Sequence, residues 1–196
     1  MQQTPARPQV ILASASPRRR RLLRQIGVSF RVIPADVDET VFSGEQPADY
    51  VVRVALEKAA AVWTRVDGSL PVLAADTTVV LEGDILGKPA DRGEAIEMLQ
   101  RLSGQTHEVY SAVAVQAGAN RAADRLNVTR VTFAPLQQDW IEAYCESGEP
   151  MDKAGAYGVQ GQAAARIVRI EGSFSGVMGL PLYETSELLH RFEVLS

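Results

Sequence analysis

Residues 10–27, VILASASPRRRRLLRQIG, decide how the chain begins to fold. The apolar run from Val10 to Ala13 predicts a short buried strand. Ser16 suits the N-cap of a helix and Pro17 its first position, so we expect a helix that starts at Pro17 and ends at Gly27. Hydroxyl groups and free backbone N–H groups then meet at one helix N-terminus, an arrangement that holds phosphate. This stretch therefore indicates a protein that handles an anionic small molecule.

The composition is that of an ordinary globular protein. Of the 196 residues, 46% are hydrophobic and 22% are charged, and the net charge is -4. This acidic balance disfavours a broad nucleic-acid surface, which needs an excess of basic residues. The sequence shows neither a signal segment nor an uncharged apolar run of about 20 residues. We therefore expect a cytoplasmic protein, and its single cysteine, Cys145, excludes an intramolecular disulfide.

Predicted strands and helices alternate along the rest of the chain. Turn residues and periodicity indicate strands at 30–34, 71–75, 108–116, 127–133 and 167–170, with a hairpin over 79–87. Helices are indicated at 47–66, 91–104, 138–146 and 181–192, and a Gly-rich loop at 155–161. This order predicts an α/β fold with a mixed twisted sheet flanked by helices, and we expect residues 1–196 to form one domain.

Basic side chains and hydroxyls gather at the start of the first predicted helix. Arg18 and Arg19 lie in its first turn, where both can reach a ligand at the helix end, and Ser14 and Ser16 precede them. A run of four arginines is also compatible with a solvated surface. Because Ser-x-Ser-Pro follows a buried strand here, the anion site is the favoured interpretation.

Two acidic positions could bind a metal or activate water. Asp76 is expected to close the strand at 71–75, near a strand's carboxyl end, where ligands bind in open α/β sheets. The alternative is an aspartate that merely forms a turn. Glu39 ends the acidic loop 36–39, whose carboxylates suit Mg²⁺ but also suit plain solvation.

Further candidates are two lysines and a glutamine. Lys88 stands between Gly87 and Pro89 and is either a phosphate ligand or a surface lysine. Lys58, among alanines, either extends to solvent or points into a cavity. The loop 151–162 contains Gln160, whose amide offers a donor and an acceptor to a base edge, unless the loop is simply a flexible surface segment.

As a set, these motifs resemble the Maf family of nucleotide pyrophosphatases. The matching segments follow the family's order over nearly the whole chain: LASASPRR (12–19), the glutamate of Asp38-Glu39-Thr40, Glu57-Lys58-Ala59, AADTTV (74–79), LGKP (86–89), LSGQTHEVYSAVAV (102–115), EPMDKAGAYGVQG (149–161) and VMGLPL (177–182). Ser111 and the small segment 172–176 depart from the family's usual pattern.

The resemblance implies hydrolysis of nucleoside triphosphates between the α and β phosphates with a divalent metal cation, Mg²⁺ or Mn²⁺. It also implies a fold shared with the inosine-triphosphate pyrophosphatases, with a cleft between two lobes. It makes Asp76 the proton acceptor and links Arg18, Thr77 and Gln160 to base selectivity. The loop form that includes Gln160 resembles the branch that acts on dTTP and UTP.

We therefore predict three groups of site residues. Substrate binding is expected from Ser14, Ser16, Arg18, Arg19, Thr77 and Gln160. Catalysis is expected from Asp76, Lys58 and Lys88, because cations must stabilise charge on the pyrophosphate leaving group. A metal is expected at Glu39 and Asp76, and Asp76 could serve as base, as metal ligand or as both.

Three alternative functions stay open at this stage. The first is the same hydrolysis with 7-methyl-GTP or a damaged nucleotide as substrate. The second is regulation of septum formation through a partner, since Maf-like proteins are associated with its inhibition. RNA binding, suggested only by the arginines of 18–24, is disfavoured by the acidic charge. The expected partner is a small-molecule nucleotide rather than nucleic acid or a membrane, and a homodimer is common among Maf relatives.

Overall fold

Helices and strands alternate along residues 7–195, the part of the chain that this computed structural model describes. The strands are β1 (Val10–Leu12), β2 (Phe30–Val32), β3 (Val72–Leu81), β4 (Asp84–Leu86), β5 (Thr106–Gln116), β6 (Ala122–Phe133) and β7 (Ile167–Glu171). The helices are α1 (Pro17–Gln25), α2 (Pro47–Trp63), α3 (Arg92–Leu102), α4 (Gln138–Glu146), α5 (Phe174–Val177) and α6 (Leu182–Arg191). Short 3₁₀ turns occupy parts of residues 149–166 between α4 and β7.

The strands form one mixed sheet, as the sequence predicts. Their order is β2-β1-β3-β5-β6-β7, and β4 pairs with the far end of β3. Strand β1 runs parallel to both β2 and β3, whereas the remaining pairs are antiparallel. The parallel part comes from the first half of the chain, where helices connect the strands, and the antiparallel part from the hairpins of the second half.

Strand β3 is longer than predicted and determines where a ligand can bind. The expectation that Asp76 closes this strand is wrong, because β5 pairs with β3 without interruption from Val72 to Val80. On its other edge, β3 pairs with β1 at Val72 and Leu73, and with β4 from Val79 onward. Asp76 therefore lies in mid-strand, opposite the interval between the carboxyl end of β1 and the carboxyl end of β4.

Apolar side chains cover both faces of the sheet in the alternation expected of strands. Val72 and Ala74 pack against α2, whereas Leu73 and Ala75 pack against α1 and α6. Helix α2 contributes residues at helical spacing, namely Val51, Val54, Ala55, Ala59 and Val62. A third cluster joins α3 and α4 to the antiparallel end of the sheet through Leu99, Leu102, Phe133, Ile141 and Tyr144.

Most of the predicted local signals operate in the fold. The Ser16 side chain caps α1 by accepting the backbone N–H of Arg19 at 3.5 Å. Asp91 accepts the N–H of Glu94 at 3.0 Å, and the Glu94 carboxylate accepts that of Ala90 at 2.6 Å, so α3 begins with reciprocal capping. Over residues 7–195, no helix combines the length and apolar character that a bilayer span requires.

Candidate active site

A cavity of about 690 Å³ lies where β1 and β4 end. Its walls come from both halves of the chain, which is the cleft that the resemblance implied. The volume is within the range of small-molecule sites. All ten predicted site residues line it, namely Ser14, Ser16, Arg18, Arg19, Glu39, Lys58, Asp76, Thr77, Lys88 and Gln160.

The lysines of this chain are concentrated in the cavity. The sequence has 20 lysine and arginine residues, but the only lysines among them are Lys58, Lys88 and Lys153. All three line the cavity. The basic residues elsewhere in the chain are arginines. The positions of the three lysines were therefore a sequence signal for the site, and the motifs did not reveal it.

Lys58 joins two carboxylates at the floor of the cavity. Its ammonium lies 2.7 Å from Asp76 Oδ1 and 2.7 Å from Glu39 Oε1. Lys58 is 8% exposed and Asp76 is 6% exposed, so two of the three groups in this charge triad are shielded from bulk water. Lys58 therefore points into the cavity rather than to solvent, which resolves the alternative left by the sequence.

The opposite face of β3 carries a second group of polar side chains. Thr77 alternates with Asp76 along the strand, and its hydroxyl lies 3.0 Å from that of Ser111, its cross-strand partner. Ser111, which departs from the family's usual residue, is fully buried and keeps this contact. The cavity thus receives groups from both faces of the sheet.

Arg19 connects α1 to that second group. Its Nε donates to the Gly179 carbonyl at 2.7 Å, and its Nη1 donates to Ser14 Oγ at 3.3 Å. Burial lowers the pKa of Arg19, while the negative charge of Asp76 opposes that change. An arginine stays protonated even then, so Arg19 presents a fixed positive charge at the helix N-terminus.

Arg18 reaches across the cavity to the second half of the chain. Its Nη1 lies 3.0 Å from Asp152 Oδ2, and the Lys153 ammonium lies 2.6 Å from the other oxygen of the same carboxylate. Lys88 is more open, with a side chain 62% exposed and its ammonium 4.0 Å from Glu39 Oε2. These cations surround the space in front of the Lys58 triad.

Glu39 is held in place by helix α2, although it belongs to an irregular loop. The Tyr50 hydroxyl donates to the Glu39 carbonyl at 3.1 Å. Arg53 donates to the Thr40 carbonyl at 3.0 Å and pairs with Glu45 at 2.6 Å. Sequence analysis missed Tyr50 and Arg53, although their spacing of three residues places them on one helix face.

The charge of Lys58 sets the ionisation of Glu39. Burial on its own would raise the pKa of the Glu39 carboxyl. The hydrogen bond and positive charge of Lys58 outweigh burial, with smaller contributions from Lys88 and Arg19, and hold that pKa below its ordinary value. Glu39 is therefore ionised at neutral pH and available as an oxygen ligand.

The Gly-rich segment is ordered rather than flexible. Tyr157 is buried, and its hydroxyl lies 2.8 Å from His107 Nε2. Burial lowers the pKa of His107 to about 4, so the ring is neutral. Gly155 has φ +66° and its backbone presses on Val79, where a Cβ would come within 2.8 Å. This packing leaves Gln160 exposed at the cavity wall.

Two carboxylates in the cavity could hold a metal. Glu39 and Asp76 supply hard oxygen donors, and Mg²⁺ commonly takes one or two carboxylates and fills its remaining positions with phosphate and water. Within the described residues, no cluster of three or more His, Cys, Asp or Glu side chains has the arrangement of a metal site. The donor set therefore fits a metal that arrives with a phosphate ligand rather than one held by protein alone.

A family model described as Maf-like protein matches residues 9–192. The chain belongs to the Maf family. It is 54% identical to a dTTP/UTP pyrophosphatase of Nitrosomonas europaea, with 95% of each chain covered. It is also 54% identical to a dTTP/UTP pyrophosphatase of Methylobacillus flagellatus, over 92% of this chain and 90% of the relative.

The fold of this Maf protein is similar to that of a HAM1 protein from Coxiella burnetii. The TM-score is 0.52 at 18% sequence identity, and the match covers 94% of this chain and 99% of the other. The likeness confirms the predicted α/β class with its mixed sheet. The resemblance to Maf proteins seen in the motifs is likewise confirmed.

Proposed function

We propose that this Maf protein hydrolyses dTTP and UTP to the nucleoside monophosphate and pyrophosphate. The observation that carries the proposal is the buried Lys58 ammonium between Glu39 and Asp76, in a cavity lined by further cations. The same activity is supported by the Maf relatives that are named dTTP/UTP pyrophosphatases, which are 54% identical to this chain over more than nine-tenths of its length.

The α1 end of the cavity binds the triphosphate in this proposal. Ser14 and Ser16 stand at the N-terminus of α1, whose free N–H groups and dipole favour an anion. Arg18 and Arg19 add charged hydrogen bonds, and Arg18 exchanges its Asp152 partner for phosphate. The phosphate thus takes the place beside Arg18 that the Asp152 carboxylate occupies in the structure.

Asp76 accepts a proton from the attacking water, and the lysines stabilise the leaving pyrophosphate. Lys58 orients the Asp76 carboxylate through a contact of 2.7 Å. Lys88, whose side chain is exposed, neutralises charge that develops on the leaving group. In this proposal the buried Lys58 and Asp76 hold fixed charges beside the reacting phosphate, and the exposed Lys88 adds a positive charge for the leaving group.

Glu39 and Asp76 are the proposed holders of a divalent metal, Mg²⁺ or Mn²⁺. When bound, such a cation neutralises phosphate charge and makes the phosphorus more susceptible to attack. Lys58 now contacts both carboxylates, so it also limits their mutual repulsion before the metal-nucleotide arrives. Tyr50 and Arg53 keep Glu39 within reach by fixing its loop to α2.

Base selectivity is proposed to come from Gln160, Thr77 and Arg18. The amide of Gln160 matches an edge that offers a carbonyl and an N–H, as uracil and thymine do. Thr77 lies on the other face of β3 and is oriented by Ser111. The three side chains line the same cavity, so one nucleotide can contact all of them.

The products test the bond that is broken. UTP and Mg²⁺ are expected to yield UMP and pyrophosphate in equal amounts, and EDTA is expected to stop the reaction. Ion-exchange chromatography of a timed reaction resolves UMP from UDP. Formation of UDP and inorganic phosphate would contradict the proposed α–β cleavage.

We further propose that the chain acts as a single Maf-like domain, in the cytoplasm, on a free nucleotide rather than on nucleic acid or a membrane. One family model over residues 9–192 supports the single domain. A homodimer stays a proposal that rests on the resemblance to Maf proteins, and the ten predicted site residues line a cavity formed within one chain.

A further inference from the structure

One pair, the buried Tyr144 and the half-buried Glu149, restrains the Gly-rich segment on both sides of Gln160. The Tyr144 hydroxyl donates to Glu149 Oε1 at 2.9 Å and accepts the backbone N–H of Gly158 at 3.2 Å. Glu149 Oε2 accepts the backbone N–H of Gln162 at 3.3 Å. The two restrained amides stand two residues before and two residues after Gln160.

The backbone between these anchors passes directly over the Glu149 carboxylate. At Gly161 an added Cβ would lie 1.8 Å from Glu149 Oε1, so no other residue fits without moving the pair. The N–H of Gly161 also donates to the Gly158 carbonyl at 3.0 Å, which closes a tight turn with Gln160 inside it. The position of Gln160 is therefore dictated by groups outside the cavity.

Tyr144 is itself held rigidly. It is 1% exposed, and its ring stacks on Trp140 with centroids 4.9 Å apart. Burial, with the hydrogen bond to Glu149, raises the pKa of Tyr144, so its hydroxyl stays protonated and continues to donate. Neither Tyr144 nor Glu149 lines the cavity, which separates them from the residues that touch substrate.

We propose that Tyr144 and Glu149 are positioning residues for base selectivity, acting through Gln160 to favour a uracil-type edge over a cytosine edge. This rests on the proposed function. A glutamine amide offers a donor and an acceptor, and it recognises a base edge well only when both groups meet their partners at the same time. That double contact requires the Gln160 backbone to stay at a fixed distance from the base, and the Tyr144–Glu149 pair supplies that fixed backbone.

Tyr144→Phe tests this inference, because it removes one oxygen and both of its hydrogen bonds. We expect the ratio of kcat/KM for UTP to that for CTP to fall about ten-fold, as the loss of one or two buried hydrogen bonds allows. Glu149→Gln should lower the same ratio. Tyr110→Phe is the matched control, since it also removes a hydroxyl that donates to a glutamate, at 3.0 Å from Glu108, but outside the cavity.

The double variant Tyr144→Phe with Gln160→Ala separates positioning from general damage. If Tyr144 acts through Gln160, the ratio in Gln160→Ala should not change further when Tyr144→Phe is added. An additional loss of similar size in the double variant would overturn the inference. So would an unchanged ratio in both Tyr144→Phe and Glu149→Gln while wild type discriminates.

Hydrogen exchange supplies a readout that does not depend on activity. Amides of residues 155–162 should exchange faster in Tyr144→Phe than in wild type or Tyr110→Phe. Unchanged exchange would overturn the positioning role even if no nucleotide were hydrolysed. Absence of UTP hydrolysis by wild type would instead contradict the proposed function, so the two failures are distinguishable.

Discussion

Asp76→Asn is expected to lower pyrophosphate release from dTTP and UTP about 100-fold or more, in line with the contribution of a general base. The amide keeps the shape of the carboxylate but cannot accept the proton of the attacking water. It also replaces one of the two carboxylates proposed for the metal with a neutral amide. Lys58 keeps its contact with Glu39 at 2.7 Å, so the fold should be retained.

Steady-state rates, together with thermal unfolding, check this expectation. Asp84→Asn is the matched control, because Asp84 is an exposed aspartate paired with Arg101 at 2.7 Å and lies outside the cavity. The control should retain wild-type turnover. Near-normal turnover by Asp76→Asn would contradict the assignment of Asp76 as the proton acceptor.

Lys58→Met is expected to reduce turnover on the order of 100-fold to 1000-fold, the range seen when one preorganised electrostatic group is lost. Methionine fills a similar volume but leaves Glu39 and Asp76 facing each other without a cation. The pKa of Glu39, held below its ordinary value mainly by Lys58 against the effect of burial, should then rise. The acid limb of the pH–rate profile should therefore move to higher pH.

The same variant gives a stability prediction whose sign follows from proton linkage. In wild type, the lowered pKa of Glu39 stabilises the folded state at pH values above 4.5, the ordinary pKa of the group. That stabilisation is lost as the pH falls through the lowered pKa of the folded state. In Lys58→Met the pKa of Glu39 should be raised, so the ionised carboxylate destabilises the folded state at neutral pH. Protonation of Glu39 at lower pH should remove that destabilisation. The difference in unfolding free energy between wild type and Lys58→Met should narrow on acidification.

Urea unfolding at several pH values measures that difference. Arg101→Met is the matched control, since it removes a cation whose side chain is 44% exposed. Its effect should be small at every pH, as for other surface ion pairs. If the difference in unfolding free energy between wild type and Lys58→Met stayed constant from neutral to acid pH, the coupling between Lys58 and Glu39 would be contradicted.

Local sequence signals predicted the first half of the site well. A short apolar strand followed by Ser14, Ser16 and Pro17 implies a helix N-terminus at a strand end, and the structure has that arrangement. The prediction of α4 at 138–146 also matches the structure, and Gly148, with φ 73°, follows its end. Such features depend on neighbours in sequence and need no knowledge of the tertiary fold.

Long-range pairing explains what the sequence could not supply. Asp76 was expected at a strand end because polar residues 76–78 interrupt the apolar run, yet pairing with β5 carries β3 to Leu81. The contact of Lys58 with Asp76 and Glu39 requires α2 and the loop before it to pack over β3. Arg53 and Tyr144 look like ordinary helix residues until the segments that they hold are placed beside them.

The measurement that tests the central claim most directly is the rate of pyrophosphate release by wild type from dTTP, UTP, CTP and 7-methyl-GTP with Mg²⁺, each at several concentrations. We expect kcat/KM for dTTP and UTP to exceed that for the other two nucleotides by about ten-fold or more. A preference for 7-methyl-GTP would contradict the role given to Gln160 and keep the chemistry. No release from any of the four nucleotides would contradict the account as a whole.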